Sequence, residues 1–277
     1  MKEYLKGKSA FDNNTISIID ELPLWAAPFG LKLLDEIKIG KRLKVLDIGS
    51  GTGFPLLEIA QRLGKTSVVY GIDPWQEVLN RAQLKISSYG IKNACLINGY
   101  AERLPFGNSF FDVIVSNNGI NNVEDLNKTI SECSRTGKKG AQFLFTMNLD
   151  KSMIEFYNVL EDELKIINDS KSLRRLVKHI YEKRRPLNEI KMILKENSFE
   201  INDITEDKFY LRFSDASAMF NHSFINLWFM DNWKKIVDNE NAGSIFSKVK
   251  DRLNVIAEKE RELKLTIPFA VINCTKV

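Results

Sequence analysis

Two histidines and three cysteines in 277 residues leave little material for metal or redox chemistry. His179 and His222 are too few for a histidine-rich metal site, and no metal is expected. Cys95, Cys133 and Cys274 lie far apart in apolar segments, without the close pairing of zinc or dithiol motifs. They read as small buried hydrophobes in a reducing compartment, so the expected location is cytoplasmic. The first residues, "MKEYLKGKSAFDNN", contain no apolar signal region. No apolar run approaches the roughly eighteen residues of a membrane span. Internal repeats, low-complexity tracts and Gly/Ser linkers are also missing. Forty basic residues against thirty-six acidic ones give +4, divided evenly between residues 1–150 and the remainder. That balance carries no signature of a nucleic-acid partner.

What is present is alternation. From Lys44 to Asn148, short β-branched runs alternate with amphipathic helical patterns, as in a parallel sheet with helices on its faces. Strands are expected at Lys44–Gly49, Val68–Asp73, Ala94–Gly99, Phe111–Asn117 and Ala141–Met147. In "PLLEIAQRLG", Leu56, Ile59, Ala60 and Leu63 share a helical face, with Pro55 suited to the first turn and Gly64 to the stop. "PWQEVLNRAQLKISSYG" and "VEDLNKTISECSRTG" read as helices by the same test. Beyond Asn148 the pattern predicts helices at Lys151–Leu164, Leu173–Tyr181 and Pro186–Glu196, then a strand-like stretch through "FYLRF" at Phe209–Phe213. A long aromatic-rich helical region follows from Ala216 to about Lys264, and "LTIPFAVINCTKV" closes the chain as a strand with Pro268 near its start.

The chemistry concentrates where the first strands end. "VLDIGSGTGFP" places Gly49, Gly51 and Gly53 directly after a strand, where missing Cβ atoms permit a sharp turn and close approach of a ligand to a helix N-terminus. A dinucleotide fingerprint, G-x-G-x-x-G, would need glycine at position 54, where this chain has Phe54. Asp73 closes the second strand, 24 residues after Gly49, where an acid can accept both hydroxyl protons of a ribose. It can also open the following helix ahead of Pro74. After the third strand comes "NGYAERLPFGNSFFDVIVSNNG".

These three strand ends, in order, resemble the class I S-adenosylmethionine-dependent methyltransferases, especially the small-molecule branch with the ubiquinone and menaquinone C-methyltransferases. The resemblance covers Lys44 to about Asn148 closely and "PLNEIKMILKENSFEI" more loosely. It implies an α/β fold, a Rossmann-like sheet of parallel strands with a C-terminal antiparallel strand, and S-adenosyl-L-methionine as cofactor with S-adenosyl-L-homocysteine as product. Asp47, Gly49, Ser50, Gly51 and Gly53 would then hold the methionine portion, and Asp73 with Pro74 the ribose end. The Ala101 amide would face an adenine ring nitrogen, and Glu102 or its neighbour the exocyclic amine. Asn117 would lie near the methionine backbone. Tyr100 stands where many relatives carry a small or acidic residue.

Around that core the expected organisation is an N-terminal helical cap segment at 1–43, the cofactor-binding core at 44–148 and a helical insertion at 149–185. A core helix and strand at 186–213, a second helical insertion at 214–264 and a final core strand at 265–277 complete it. The acceptor would be a small, partly apolar molecule, because an aromatic-rich cap makes an enclosed pocket. "SNNGINN" is followed by neither proline nor an aromatic residue, which argues against methylation of a base amine; its asparagines suit a turn. Trp25 and Phe29 are lid candidates, with plain packing on the sheet as the alternative. His222, among aromatics, is a weak substrate or base candidate against a packing role, and the catalytic residue is otherwise unassigned. His179 is expected at the surface.

Lys171, Arg174, Arg175 and Lys178 lie opposite Leu173, Leu176, Val177 and Ile180, with Lys183, Arg184 and Arg185 next. This basic helix, 171–185, is a solvated face or a contact for an anionic substrate, carrier or membrane surface. Two rival functions stay open: a non-catalytic nucleoside-binding module acting through partners, and a nicotinamide-dependent oxidoreductase. The oligomeric state is not legible.

Overall fold

The computed structural model describes residues 15–17, 20 and 24–277. The chain divides into two units. Among the described residues, one takes in those from 15 to 148, Pro186–Asp207 and Phe269–Val277; the other holds Leu149–Arg185 and Lys208–Pro268.

The first unit carries a seven-stranded sheet ordered β3-β2-β1-β4-β5-β7-β6. Its strands are β1 (Lys44–Ile48), β2 (Val68–Asp73), β3 (Ala94–Asn98), β4 (Phe111–Asn117), β5 (Gly137–Asn148), β6 (Phe199–Phe213) and β7 (Leu263–Lys276). β1 to β5 pair in parallel, and β7 runs antiparallel to β5 with Phe143 opposite Cys274. The unit boundary crosses β6 after Asp207 and β7 after Pro268.

Chemistry explains the sheet's interior. β1, "KVLDI", is buried at every position after Lys44 because it is central, while β3 at the edge is only partly covered. Cys95 on β3 is consequently exposed, contrary to the expectation of three buried cysteines. Cys133 and Cys274 are buried, and burial pushes the Cys274 thiol up to about 12, so it is an inert apolar filler.

The helices begin with α1 (Ala26–Glu36), α2 (Leu56–Leu63), α3 (Gln76–Tyr89), α4 (Leu126–Thr136) and, later, α7 (Leu187–Glu196). Gly90 ends α3 in the left-handed conformation, and the Asp125 carboxylate caps α4 by accepting from Lys128 N at 2.9 Å. After β1 the chain builds β2 and β3 on one side, then crosses to β4 and β5 on the other. The order therefore reverses between β1 and β4, where open parallel sheets bind ligands outside their carboxyl ends.

The second unit contains α5 (Ile154–Ile166), α6 (Ser170–Lys183), α8 (Ala216–Asn221), α9 (Ser223–Trp228), α10 (Met230–Lys234) and α11 (Asn239–Glu260). The helical region expected from Ala216 to about Lys264 consists of four helices ending at Glu260. Asp215 caps α8 by accepting from Ala218 N at 2.7 Å, and His222 Nδ1 accepts from Phe224 N at 3.2 Å to start α9. The aromatics of this region form the unit's own core: Trp233, Phe156, Phe220 and Phe246 are fully buried, with the first two stacked at 3.9 Å. Among the described residues no helix is long and apolar enough to cross a membrane.

Candidate functional site

The ends of β1, β2 and β4 are tied together by backbone. Gly49 N and Ser50 N both donate to Ile72 O, at 2.9 and 3.2 Å, so the loop after β1 folds over the end of β2. Ser116 Oγ donates to Ile48 O at 2.9 Å and accepts from Ile120 N at 3.1 Å, clasping the turn after β4 to the end of β1. The approach is so close that a Cβ on Gly49, whose φ is +71°, would lie 3.1 Å from Gly119 Cα. Ser116 was not singled out in the sequence. A polar residue within "DVIVSNN" is the signal that could have found it.

Gly51 has φ +51°, and a Cβ built on it meets nothing within 4 Å, so its backbone faces open space. Its N–H donates to Asp73 Oδ2 at 3.0 Å, while Asp73 Oδ1 accepts from Trp75 N at 3.0 Å. Asp73 thus joins the loop after β1 to the start of the chain leading to α3, and leaves the N-cap position to Trp75. Burial raises its carboxyl above the usual range, partly offset by the amides of Trp75 and Gly51.

Asp47 is the anomaly of the site. It is fully buried within β1, and neither carboxylate oxygen has a hydrogen-bond partner. Burial, and then the charge of Asp73, hold its carboxyl well above the ordinary value; the Leu56 amide pulls the other way without reaching hydrogen-bond geometry. The neighbouring Ser50 Oγ is equally buried and unpartnered. Unpaired buried acceptors are costly and cluster where a ligand is to complete them. A carboxylate and a hydroxyl in want of donors, beside a glycine amide facing open space, fit a ligand bearing cationic and N–H groups.

Phe54 explains why the loop departs from the dinucleotide pattern. A Cβ on Gly30 of α1 would lie 2.2 Å from Phe54 Cε1, so the ring packs directly on the α1 backbone where a third glycine would otherwise stand. Asn117 Nδ2 donates to Ala26 O at 3.0 Å, and Asn117 Oδ1 accepts from Thr146 Oγ1 at 3.1 Å. Its amide therefore holds the start of α1 against the end of β4.

At the end of β3, Asn98 Nδ2 donates to Pro74 O at 3.0 Å, binding the two strand ends together. Ala101 is buried, Tyr100 is 62% exposed, and Glu102 Oε1 accepts from Glu124 N at 2.8 Å. That carboxylate oxygen is engaged in the approach to α4. Pro74 is exposed beside Asp73. The structure therefore gathers Asp47, Gly49, Ser50, Gly51, Gly53 and Asp73 at one place, linked through Asn98 to the turn carrying Tyr100, Ala101 and Glu102.

Phe29 is fully buried against Phe269 at 4.8 Å, which makes it core and removes it as a lid; Trp25 touches Phe29 at 5.4 Å and remains half-exposed. Glu21, Leu22 and Pro23 of the same segment lie outside the described residues, as does "MKEYLKGKSAFDNN".

In the second unit, His222 serves as the α9 cap and lies 5.5 Å from the Phe213 ring, its basicity lowered by burial. The basic helix is not a continuous solvated face. Lys171 and Arg175 pair with Asp238 at 3.3 and 2.6 Å, Lys178 pairs with Glu182 at 3.6 Å, and Arg184 is buried. Val177, expected on the apolar face, is 68% exposed.

His179 is not a surface residue. It is half-buried, with Nε2 at 3.0 Å from the Tyr157 hydroxyl, and burial followed by the Arg184 and Lys183 charges lowers its pKa from 6.5 to about 4. The unfolded chain therefore takes up a proton before the folded one does. Stability from this site is fully present above about pH 6.5 and is lost as pH falls towards 4. Urea titrations across that window should show a fall on the order of 3 kcal/mol at most, and His179→Gln should flatten it. An unchanged slope in that variant would show that His179 stays accessible and ordinary.

A methyltransferase-domain family model matches residues 39–172. That stretch of the chain is similar to methyltransferase domains. Its sequence relatives include the demethylmenaquinone methyltransferase of Geobacillus stearothermophilus, 31% identical over 108 residues, covering 39% of this chain and 46% of that one. Another is the ubiquinone/menaquinone biosynthesis C-methyltransferase UbiE of Psychromonas ingrahamii, 33% identical over 152 residues, covering 51% of this chain and 61% of that one. The chain spans about half the length of the curated relatives it matches. A solved SAM-dependent methyltransferase from Aquifex aeolicus superposes with a TM-score of 0.54 at 16% identity, covering 96% of this chain and 100% of that one. The geranyl diphosphate C-methyltransferase of Streptomyces coelicolor does so at 0.56 and 13% identity, covering 100% and 90%. These likenesses establish the Rossmann-like methyltransferase fold, with its antiparallel last strand.

Proposed function

We propose that this chain transfers a methyl group from S-adenosyl-L-methionine to a small, partly apolar molecule, leaving S-adenosyl-L-homocysteine. The observation that carries the proposal is the unpartnered Asp47 carboxylate and Ser50 hydroxyl beside the open Gly51 backbone, at the sheet's topological switch. S-adenosylmethionine lacks the pyrophosphate that the absent third glycine would serve, and its cationic groups suit buried carboxylates. Bound there, it supplies an activated methyl group. Asp47, Ser50 and the Gly49–Gly53 backbone would hold the methionine portion, with Asn117 beside it, and Asp73 the ribose hydroxyls. The turn at Tyr100, Ala101 and Glu102 would meet the adenine, through the Ala101 amide and whichever acceptor atoms the α4 approach leaves available.

The residues' task is positional. Holding donor and acceptor in line supplies up to about 7 to 11 kcal/mol of the barrier without a metal or an obligatory base. The apolar acceptor is supported by relatives named for ubiquinone and menaquinone synthesis. We further propose that the chain works in the cytoplasm, as free thiols at Cys95, Cys133 and Cys274 suit. No observation favours a non-catalytic module. Incubation with S-adenosylmethionine and a panel of phenolic, quinol and isoprenoid acceptors should release stoichiometric S-adenosylhomocysteine with at least one of them. Tight cofactor binding with no turnover over the whole panel would contradict catalysis.

A further inference from the structure

Among the described residues, the second unit buries a positive charge with no acid set against it. Arg184, immediately after α6, is 3% exposed. Its Nη2 donates to the Tyr157 hydroxyl at 3.3 Å and its guanidinium lies 5.0 Å from the Tyr157 ring centre, but Nε and Nη1 have no hydrogen-bond partner. Tyr157 has nothing further to offer. Its oxygen accepts from Trp233 Nε1 at 3.0 Å and from Arg184, and its proton is directed to His179 Nε2 at 3.0 Å. His179 is held neutral and brings no negative charge. The carboxyl end of α6 favours a cation, yet none of its carbonyls reaches Nε or Nη1.

Elsewhere the chain matches its partly buried arginines with carboxylates. Arg135 meets Glu132 at 2.7 Å, Arg175 meets Asp238 at 2.6 Å, and Arg252 meets Glu163 at 3.1 Å. Arg184 breaks that pattern, and a buried ion without a counter-ion is strongly disfavoured.

We propose that Arg184 is the recognition group of an anion site within this unit, taking the carboxylate or phosphate group of a small-molecule ligand. One N–H on Nε and two on Nη1 are available, and a guanidinium's fixed fork suits either oxyanion. The Tyr157–His179–Trp233 network fixes the opposite side of the fork, so the free donors are held in one orientation. Both nitrogens are sealed from water, so the anion exchanges through local opening of the unit rather than through a standing cleft. The site is independent of methyl transfer, and failure of either proposal leaves the other standing.

The test is thermal unfolding of the full chain titrated with inorganic phosphate, and separately with acetate, at ionic strength fixed with sodium chloride. Wild type should gain stability saturably with at least one anion, and which one responds distinguishes a phosphate from a carboxylate ligand. Arg184→Met should be at least as stable as wild type in the chloride buffer without oxyanion and should not respond. An equal response in the variant, or no response to either anion in wild type, would overturn the site. So would a variant much less stable in the chloride buffer without oxyanion, because that would show the guanidinium to be satisfied within the chain. A second readout needs no folded Arg184 variant: the Trp233 indole N–H resonance, assigned through Tyr157→Phe, should shift during titration of wild type. A signal that stays still with both anions contradicts the proposal.

Discussion

Asp47→Asn is expected to make the ligand-free protein more stable while weakening its hold on S-adenosylmethionine. The carboxylate is fully buried, unpartnered and pushed well above its ordinary pKa by burial and by Asp73. A group whose folded pKa is raised favours the folded state below the unfolded value and loses that contribution as pH rises through the folded value. At neutral pH the apo protein therefore carries a penalty that the neutral amide relieves, on the order of 1–3 kcal/mol. For a protein of this size that is roughly 2–4 °C in Tm per kcal/mol. The gain should vanish below about pH 4, where the carboxyl is protonated in both states. Cofactor affinity should fall at least about tenfold, since the amide cannot meet a cation with charge. Cofactor binding to wild type should also release protons, so calorimetric heats should depend on the ionisation enthalpy of the buffer. A variant less stable than wild type at pH 7 would show that Asp47 is internally satisfied.

Asp73→Ala should have the larger effect on binding. It removes the acceptor for Gly51 N and Trp75 N together with the proposed ribose contact. Charge-assisted hydrogen bonds contribute about 1.5–3 kcal/mol each, so an affinity loss of about 100-fold is expected. Asp73→Asn keeps one carbonyl acceptor and should fall in between. Equal affinity in all three proteins would separate Asp73 from the cofactor, leaving it as a strand-end tie.

How much of this was legible in the sequence depended on whether the signal was local. β2 and β4 appear with the boundaries that their β-branched runs predict, because central parallel strands carry a mainly apolar run of their own. β5 begins at Gly137 and not at Ala141, since "GKKG" is an irregularity within the strand: Gly137 stands opposite Phe111, and the register shifts before Gln142 meets Val113. β6 extends over fifteen residues, taking in both the strand expected at the end of "PLNEIKMILKENSFEI" and the stretch through "FYLRF". Its sequence, "FEINDITEDKFYLRF", is rich in charge because the strand lies at the sheet edge. The glycine loop and Asp73 were readable from spacing. The isolation of Asp47, the fit of Phe54 onto Gly30 and the Tyr157–His179–Arg184 cluster were not, because each depends on residues 22 or more positions apart meeting in space.

The most direct measurement is calorimetry of the purified chain with S-adenosylhomocysteine, with NAD as the parallel titrant. One-to-one binding of S-adenosylhomocysteine, weakened in Asp73→Ala and absent for NAD, is the expected result. No heat and no shift in Tm with either S-adenosylhomocysteine or S-adenosylmethionine, in a folded protein, would contradict a cofactor site at the ends of β1 and β2.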